Sequence, residues 1–405
     1  MPSLRILMYC NTSRGMGRTA RTLGIAASLS QTLEYCSILV LTDLATIGRF
    51  KLAERVDYVH LPALAESSNG YAMKPGLKLD RKNTLRMRQK IATSALKTFR
   101  PDLVWLDDSL LNLPEELHKI LACLQADLPE AKVVWAFSDT LGHPDFVLRQ
   151  WVSLGAPEIF ERCGDEFLVL GVRALFDAVK AYRLPESLSR KVIYTGYLSS
   201  REKAPKRMSE KLAKTESRLP TILLTTDGSA HDFAALEAYL DFLEKTHMEV
   251  QSIIIAGLGF TSAQKRAIKR RVQALPRVGF KRFSKHLAHY IRHADAVICT
   301  GEYSVMSEVL ARRKAALLVP HAEAQPDNFH RAQRLEECGL VAVSAPEDFQ
   351  ADVIEAFLAK HLFGEPRLEA LKNSQEISSD GFKQISESIQ RLTGGSRQFE
   401  AVAAS

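Results

Sequence analysis

The chain has 405 residues, 46% of them hydrophobic and 25% charged, a globular profile that excludes a fibrous or disordered protein. That length exceeds what one ordinary hydrophobic core needs, so two domains are expected. The net charge of +7 leaves acidic partners open, and no apolar run approaches the ~20 residues a membrane-spanning helix requires.

Residues 1–10 carry one short apolar run, Ile6-Leu7-Met8, and no small-residue cleavage site, so no signal peptide is expected. The first strand, predicted over residues 5–10, leads into Asn11-Thr12-Ser13-Arg14-Gly15-Met16-Gly17-Arg18-Thr19-Ala20-Arg21. Gly15 and Gly17 let the backbone turn sharply and approach a ligand closely, and Thr12, Ser13 and the amides before Thr19 add donors. The spacing is not a dinucleotide fingerprint, because Gly24 stands too far from Gly17, and no Gly-Lys-Ser/Thr follows to make a Walker loop. Viewed alone, the segment reads as a tight strand-to-helix turn with a solvated arginine edge.

Further strands are predicted at residues 37–41, 103–106, 133–137, 166–170 and 192–195, with amphipathic helices at 20–29, 84–99 and 115–124. Asp107 and Asp108 end the strand at 103–106; Ser138 and Asp139 end that at 133–137, with His143 close behind. Carboxylates at strand ends facing a cleft are candidates for a general base, although such residues more often serve as turns or caps.

Residues 199–218 interrupt the alternation, being polar and charged, with Pro205 and almost no apolar periodicity. They read as a linker, which divides the chain into a domain at 1–198, the linker at 199–219, a second domain at 220–374 and a C-terminal helix and tail at 375–405. The second half starts over, with strands at 221–225, 250–256, 278–280, 296–299 and 315–319 and helices at 233–246, 262–274, 304–312 and 328–338. A last amphipathic helix at 382–392 is expected to pack back across the domains, and residues 394–405 to fray. Alternation of this kind implies parallel sheets covered on both faces. The fold class is therefore α/β, two doubly wound Rossmann-like domains facing a central cleft, with ligands at the carboxyl ends of the strands.

Three segments of the second half could carry chemistry. The turn Thr226-Asp227-Gly228-Ser229 follows a strand and could hold a diphosphate or a base edge, or serve only as a turn. Cys299-Thr300-Gly301-Glu302-Tyr303-Ser304 runs from strand through glycine turn into a helix N-terminus, the geometry that binds phosphate through free amides and the helix dipole. Glu308 lies about one turn beyond Ser304, and a carboxylate there can accept two hydrogen bonds from a ribose diol. An anion-binding turn beside a diol-binding carboxylate means a nucleotide. The third segment, Pro320 to Asn328, is a proline-bounded loop in which Asp327 or Asn328 could meet sugar hydroxyls, Asp327 being equally suited to cap the next helix.

Six cysteines at positions 10, 36, 123, 163, 299 and 338 form no Cys-x-x-Cys pair, which argues against a disulfide scaffold and a zinc site. Lys265, Arg266, Lys269, Arg270, Arg271, Arg277, Lys281, Arg282 and Lys285 come without an acidic residue among them. Such a stripe suits anionic lipid or nucleic acid, or is simply a solvated face.

Together these segments resemble the two-domain GT-B glycosyltransferases, in particular the group around the bacterial peptidoglycan N-acetylglucosaminyltransferase and a related group of predicted glycosyltransferases. The resemblance spans most of the chain: the glycine loop, Tyr194-Thr195-Gly196-Tyr197, the Gly228 turn, and Gly301 through Gly339 with Leu318-Val319-Pro320, Asp327-Asn328 and Leu335-Glu336-Glu337-Cys338-Gly339. It implies an inverting, metal-independent transfer from a nucleotide-diphosphate sugar, UDP-linked in most of the family, to an acceptor hydroxyl. The nucleotide sugar is then the donor substrate, with no cofactor and no metal. Carried over, Glu308 meets the ribose, Gly301 and Ser304 the phosphates, and Asp327 and Asn328 the donor sugar; Gly15, Gly17, Gly228, Ser229 and Tyr303 complete the binding set. One departure stands out: the family's first loop commonly reads Gly-x-Gly-His, and Arg18 occupies the histidine's place. Arg18 cannot act as a base but could stabilise a departing diphosphate, leaving Asp108, Asp139 or His143 to take the proton. A lipid-linked or anionic acceptor, peripheral contact with the inner face of a membrane, a cytoplasmic location and a homo-oligomer are all compatible with this picture; nucleic acid is not the expected partner. Two alternatives stay open: an epimerase or hydrolase of sugar nucleotides, and a non-catalytic nucleotide-sugar-binding partner subunit.

Overall fold

Two fully parallel sheets organise the chain, which was analysed as a computed structural model describing residues 3–11, 17–64, 77–200, 219–226, 228–229, 231–257, 259–363 and 377–394. The first comprises β1 (Leu4–Cys10), β2 (Cys36–Thr42), β3 (Val56–His60), β4 (Leu103–Asp107), β5 (Lys132–Ser138), β6 (Glu166–Leu170) and β7 (Val192–Tyr194), in the order β3-β2-β1-β4-β5-β6-β7. The second comprises β8 (Thr221–Thr225), β9 (Gln251–Ile255), β10 (Val278–Lys281), β11 (Ala296–Cys299), β12 (Ala315–Leu318) and β13 (Ala342–Val343), in the order β10-β9-β8-β11-β12-β13. Both orders reverse direction beside their first strand, and there the ends of neighbouring strands open a crevice for ligands.

The central strands are continuous apolar runs because helices cover both faces: β4 (LVWLD) and β6 (EFLVL) are buried at every position. β3 was not anticipated. Its sequence, VDYVH, alternates and is only partly buried, as suits a sheet edge. Also unanticipated are β13 and the helices Pro144–Leu154, Ala156–Cys163, Leu287–His293 and Ala351–Leu358. The first two of these helices are short and meet at Gly155, whose φ of +60° breaks the periodicity.

The chain divides into one unit of Met1–Leu198 with Asp380–Ser405, and another of Ser199–Ser379. In the first unit an aromatic cluster dominates the core below the later strands: Trp135 and Phe160 meet edge to face at 5.0 Å, and Trp151 and Phe160 at 5.3 Å. In the second, Leu236, Tyr239, Phe242, Ile254 and Ile298 form the centre.

The last helix, Gly381–Gly394, belongs to the first unit. Leu198 and Asp380 form an antiparallel bridge, and the Gly381 amide donates to Tyr197 O at 3.3 Å. A Cβ on Gly381 would lie 2.8 Å from Gly196 O, so only glycine permits this approach. The helix then lies along Gly17–Thr32, where the Phe382 ring stands 3.5 Å from the place a Gly24 Cβ would take. Among the described residues, no helix is long and apolar enough to cross a membrane, and the six cysteines are free thiols.

Candidate active site

In the first unit the ends of β1, β4 and β5 bring four charged groups together. Arg18 and Arg21 lie three positions apart in the opening turns of helix Gly17–Thr32, which has no acidic residue in its first turn. Cations at that end oppose the helix dipole and need counter-charge nearby. Asp107 and Asp108 supply it from the end of β4: Arg18 Nη1 donates to Asp107 Oδ1 at 3.0 Å and also to Asp108 Oδ1. Arg21 Nη2 donates to Asp107 Oδ2 at 2.7 Å, and its Nη1 to Ser138 Oγ at 2.9 Å.

The two carboxylates are not equivalent. Asp107 receives two guanidinium groups and the Ser109 amide at 3.0 Å, while Asp108 receives Arg18 and a long contact of 3.5 Å from the Ser138 amide. Burial works against the charge of both. At Asp107, Arg21 and then Arg18 outweigh it and hold the carboxyl well below the usual range. At Asp108 burial prevails over Arg18, and the adjacent Asp107 charge adds to it, so the carboxyl is pushed up to about 6. Charge is thus favoured on Asp107 and disfavoured on Asp108. Cys10 beside them is no nucleophile, because burial and the Asp107 charge push its thiol up to about 12.

The other first-unit candidates have different partners. Asp139 accepts a hydrogen bond from Tyr197 Oη at 3.0 Å and from the Thr140 amide at 2.9 Å. It also presses on Gly171, where an added Cβ would come within 2.6 Å of its own. His143 precedes helix Pro144–Leu154 with its side chain 65% exposed and its Nδ1 3.9 Å from Asp145. Gly17 opens the Gly17–Thr32 helix, and Gly15 lies outside the described residues.

In the second unit, Gly301 turns the chain after β11 with φ at +81°. Glu302 then caps helix Tyr303–Ala311, accepting from the Ser304 and Val305 amides at 3.0 and 3.3 Å and from Ser304 Oγ at 3.2 Å. These are the donors expected to face a phosphate, and a carboxylate already sits on them. Tyr303 is buried beneath the turn, with the Arg331 guanidinium 5.7 Å from its ring.

Glu308 is buried one turn further along. It accepts from Ser199 Oγ at 3.2 Å, from the Ser200 amide, and from Arg312 Nε at 3.0 Å, while Arg312 also donates to Ser200 O. Burial pushes its carboxyl above the ordinary value, against the Ser200 amide and Arg312, which favour the charge. The carboxylate therefore anchors the chain entering this unit.

Helix Pro326–Glu337 approaches the Gly301 turn. Its N-cap is Gln325, so Asp327 stands in the first turn rather than capping it. Asn328 donates to Gln325 Oε1 at 2.9 Å, and Arg331 Nη1 donates to Asn328 Oδ1 at 2.9 Å and to Gly301 O at 3.0 Å. Gly228 and Ser229 wrap the Asp232 carboxylate, which accepts from their amides at 3.1 and 3.2 Å. A Cβ on Gly259 would fall 2.4 Å from Gly228 O, so the turns after β8 and β9 meet backbone to backbone. The basic stripe is partly neutralised from outside itself: Arg271 pairs with Asp241 at 2.6 Å and Glu244 at 2.8 Å.

Sequence reasoning missed Arg21, Glu302 and Arg331 as participants. Arg21 could have been suspected from its spacing to Arg18, which puts both on one helix face. Nothing local marks Arg331, whose partners lie up to 30 positions away.

No protein-family model matches the chain, and no curated protein matches it in sequence. Solved structures do. MurG of Acinetobacter baumannii is 14% identical with a TM-score of 0.60, over 96% of this chain and 100% of that one. The glycosyltransferase VinC in complex with dTDP is 15% identical with a TM-score of 0.64, over 97% and 100%. A putative UDP-N-acetylglucosamine 2-epimerase from Listeria monocytogenes is 10% identical with a TM-score of 0.63, over 98% of each chain. With two parallel sheets in this strand order and likeness over nearly the full length of these structures, the chain has the GT-B fold.

Proposed function

We propose that this protein is an inverting glycosyltransferase that moves a sugar from a nucleoside-diphosphate sugar, UDP-linked in the first instance, to an acceptor hydroxyl without a metal ion. The observation that carries this reading is the pairing of half-buried Arg18 with buried Asp108 at the switch point of the first sheet. Arg18 holds no removable proton at neutral pH. Asp108, pushed up to about 6, is an anion at neutral pH and a base strong enough to take a hydroxyl proton as it is lost. The acceptor proton passes to Asp108 while the acceptor oxygen bonds to the anomeric carbon. The bond from that carbon to the diphosphate oxygen breaks, and the nucleoside diphosphate leaves with its electron pair.

The second unit holds the donor in this reading. Ser304 and the Gly301 turn face the diphosphate, Glu308 the ribose, and Asp327 and Asn328 the sugar. Two internal contacts must then yield to the ligand: Glu302 leaves the Ser304 and Val305 amides, and Glu308 exchanges Ser199 and Ser200 for the diol. The likeness to a glycosyltransferase whose structure contains dTDP supports a nucleotide ligand.

The reading is tested by melting the protein with UDP, dTDP, GDP and their common sugars, using wild type and Glu308→Ala. A nucleotide at a hundred times its dissociation constant raises stability by about 2.7 kcal/mol. One nucleotide class should raise the melting temperature of wild type and act weakly on Glu308→Ala; no response to any of them removes the donor site. The likeness to a putative epimerase favours a second reading, chemistry on the sugar nucleotide alone. Release of UDP, or inversion of a sugar carbon, with no acceptor present would select it. Binding without turnover under any condition would leave a nucleotide-sugar-binding partner subunit.

A further inference from the structure

We propose that Arg21 and Asp107 are a positioning pair: they fix which of two adjacent carboxylates carries the standing charge, and so leave Asp108 as the one that takes up the acceptor proton. This rests on the assignment of Asp108 as proton acceptor given above. Asp107 and Asp108 are neighbours in the chain, both buried at the end of β4, and both touch Arg18 Nη1. Arg18 offers one nitrogen to both carboxylates, so without a second cation the two compete for it, and the less compensated one holds its proton to higher pH.

Arg21 decides which. Its side chain is 3% exposed, with Nη2 2.7 Å from Asp107 Oδ2 and Nη1 fixed on Ser138 Oγ at 2.9 Å. The Ser138 contact orients the guanidinium toward Asp107, and the Ser109 amide at 3.0 Å holds Asp107 from the other side. Asp108 has neither contact. The groups facing it are Arg18 and Arg21 from helix Gly17–Thr32, Asp107 on its own strand, the Ser138 amide from β5, and Cys10 at the end of β1, next to Asp107. Cys10 stays neutral across the range in question, because its thiol is raised to about 12.

The signs follow from these contacts. Asp107→Asn removes the neighbouring negative charge, so Asp108 ionises more easily and titrates lower. Arg21→Met leaves both carboxylates competing for Arg18, so Asp108 titrates higher. Arg21→Lys restores the charge without the fork and should lie near wild type. Each titration can be followed by 13C NMR of protein labelled at aspartate Cγ, with Asp108→Asn identifying the signal, and needs no substrate. The expected result is a carboxyl midpoint near 6 in wild type, moved down by about one pH unit in Asp107→Asn and up by about one in Arg21→Met. Turnover of a donor found in the melting panel should show its acidic limb moving in the same directions. Asp107→Asn preserves shape and guards against a variant that fails to fold. An Asp108 midpoint unchanged in Asp107→Asn, or no Asp108 titration between pH 5 and 7 in wild type, overturns the pair's role. If the midpoints move as stated while no nucleotide binds wild type, the pair stands and glycosyl transfer falls.

Discussion

Arg18 and Asp108 lie 90 positions apart in the chain, and in the proposed transfer their contact divides the labour that a single histidine would otherwise perform. A histidine accepts a proton and, once protonated, offers positive charge; the proposal gives the first task to the carboxylate and the second to the guanidinium, which stays charged at all relevant pH. Asp108→Asn should therefore lower turnover on the order of a hundredfold or more while leaving nucleotide-induced stabilisation unchanged, as read by steady-state rates beside thermal melts. Equal loss of both would make Asp108 a structural residue. That Asp108 would be a candidate was readable from its place after an apolar strand. That Asp107 would hold the charge was not, because the difference lies in Arg21, Ser109 and Ser138, which only the folded sheet gathers.

At the scale of elements, the first unit is tied together by a second buried network on the other side of β1. Arg88 from helix Arg81–Phe99 donates to Glu116 at 2.9 Å, to Tyr9 Oη at 2.8 Å, to Pro62 O at 2.8 Å and to Asp43 at 3.3 Å; Tyr9 donates to Glu116 at 2.7 Å. Arg88 and Glu116 are fully buried, and burial together with Glu116 and Asp43 raises the Tyr9 hydroxyl well above its ordinary range despite Arg88. Removing one partner strands the other: Arg88→Met should cost about 3–5 kcal/mol in denaturant unfolding. A cost below about 1 kcal/mol would mean that water or rearrangement satisfies Glu116. The helices of this network were legible from their apolar spacing, but nothing in that spacing marked Arg88. Periodicity reports which face is apolar, not which polar residue a neighbouring helix will bury. Short elements, such as β3 and Pro144–Leu154, were missed because VDYVH is too brief for its alternation to stand out and proline and glycine bound the helix.

For the whole molecule, the last helix is the point at which chain order and unit membership part company. Ile385 and Ile389 are buried in it, and Glu166 accepts from Ser388 and Arg391. A chain ending at residue 376 should lose about 3 kcal/mol or more from the first unit through those two isoleucines alone. Calorimetry should show one transition moving to lower temperature and the other staying in place; an unchanged thermogram would show that the helix adds nothing to the unit.

The doubled α/β plan, the parallel strands other than β3 and β13, and the glycine turns at Gly228 and Gly301 were determined by sequence alone, because each depends on residues within one or two turns of each other. Strand order, the return of helix Gly381–Gly394 to the first unit, and the occupation of the expected phosphate amides by Glu302 and of Glu308 by Ser199, Ser200 and Arg312 were decided only by tertiary structure. The physical reason is range: hydrophobic periodicity and backbone conformation are local properties of the chain, whereas the competition of buried charges for partners is settled by whichever groups packing brings within hydrogen-bonding distance.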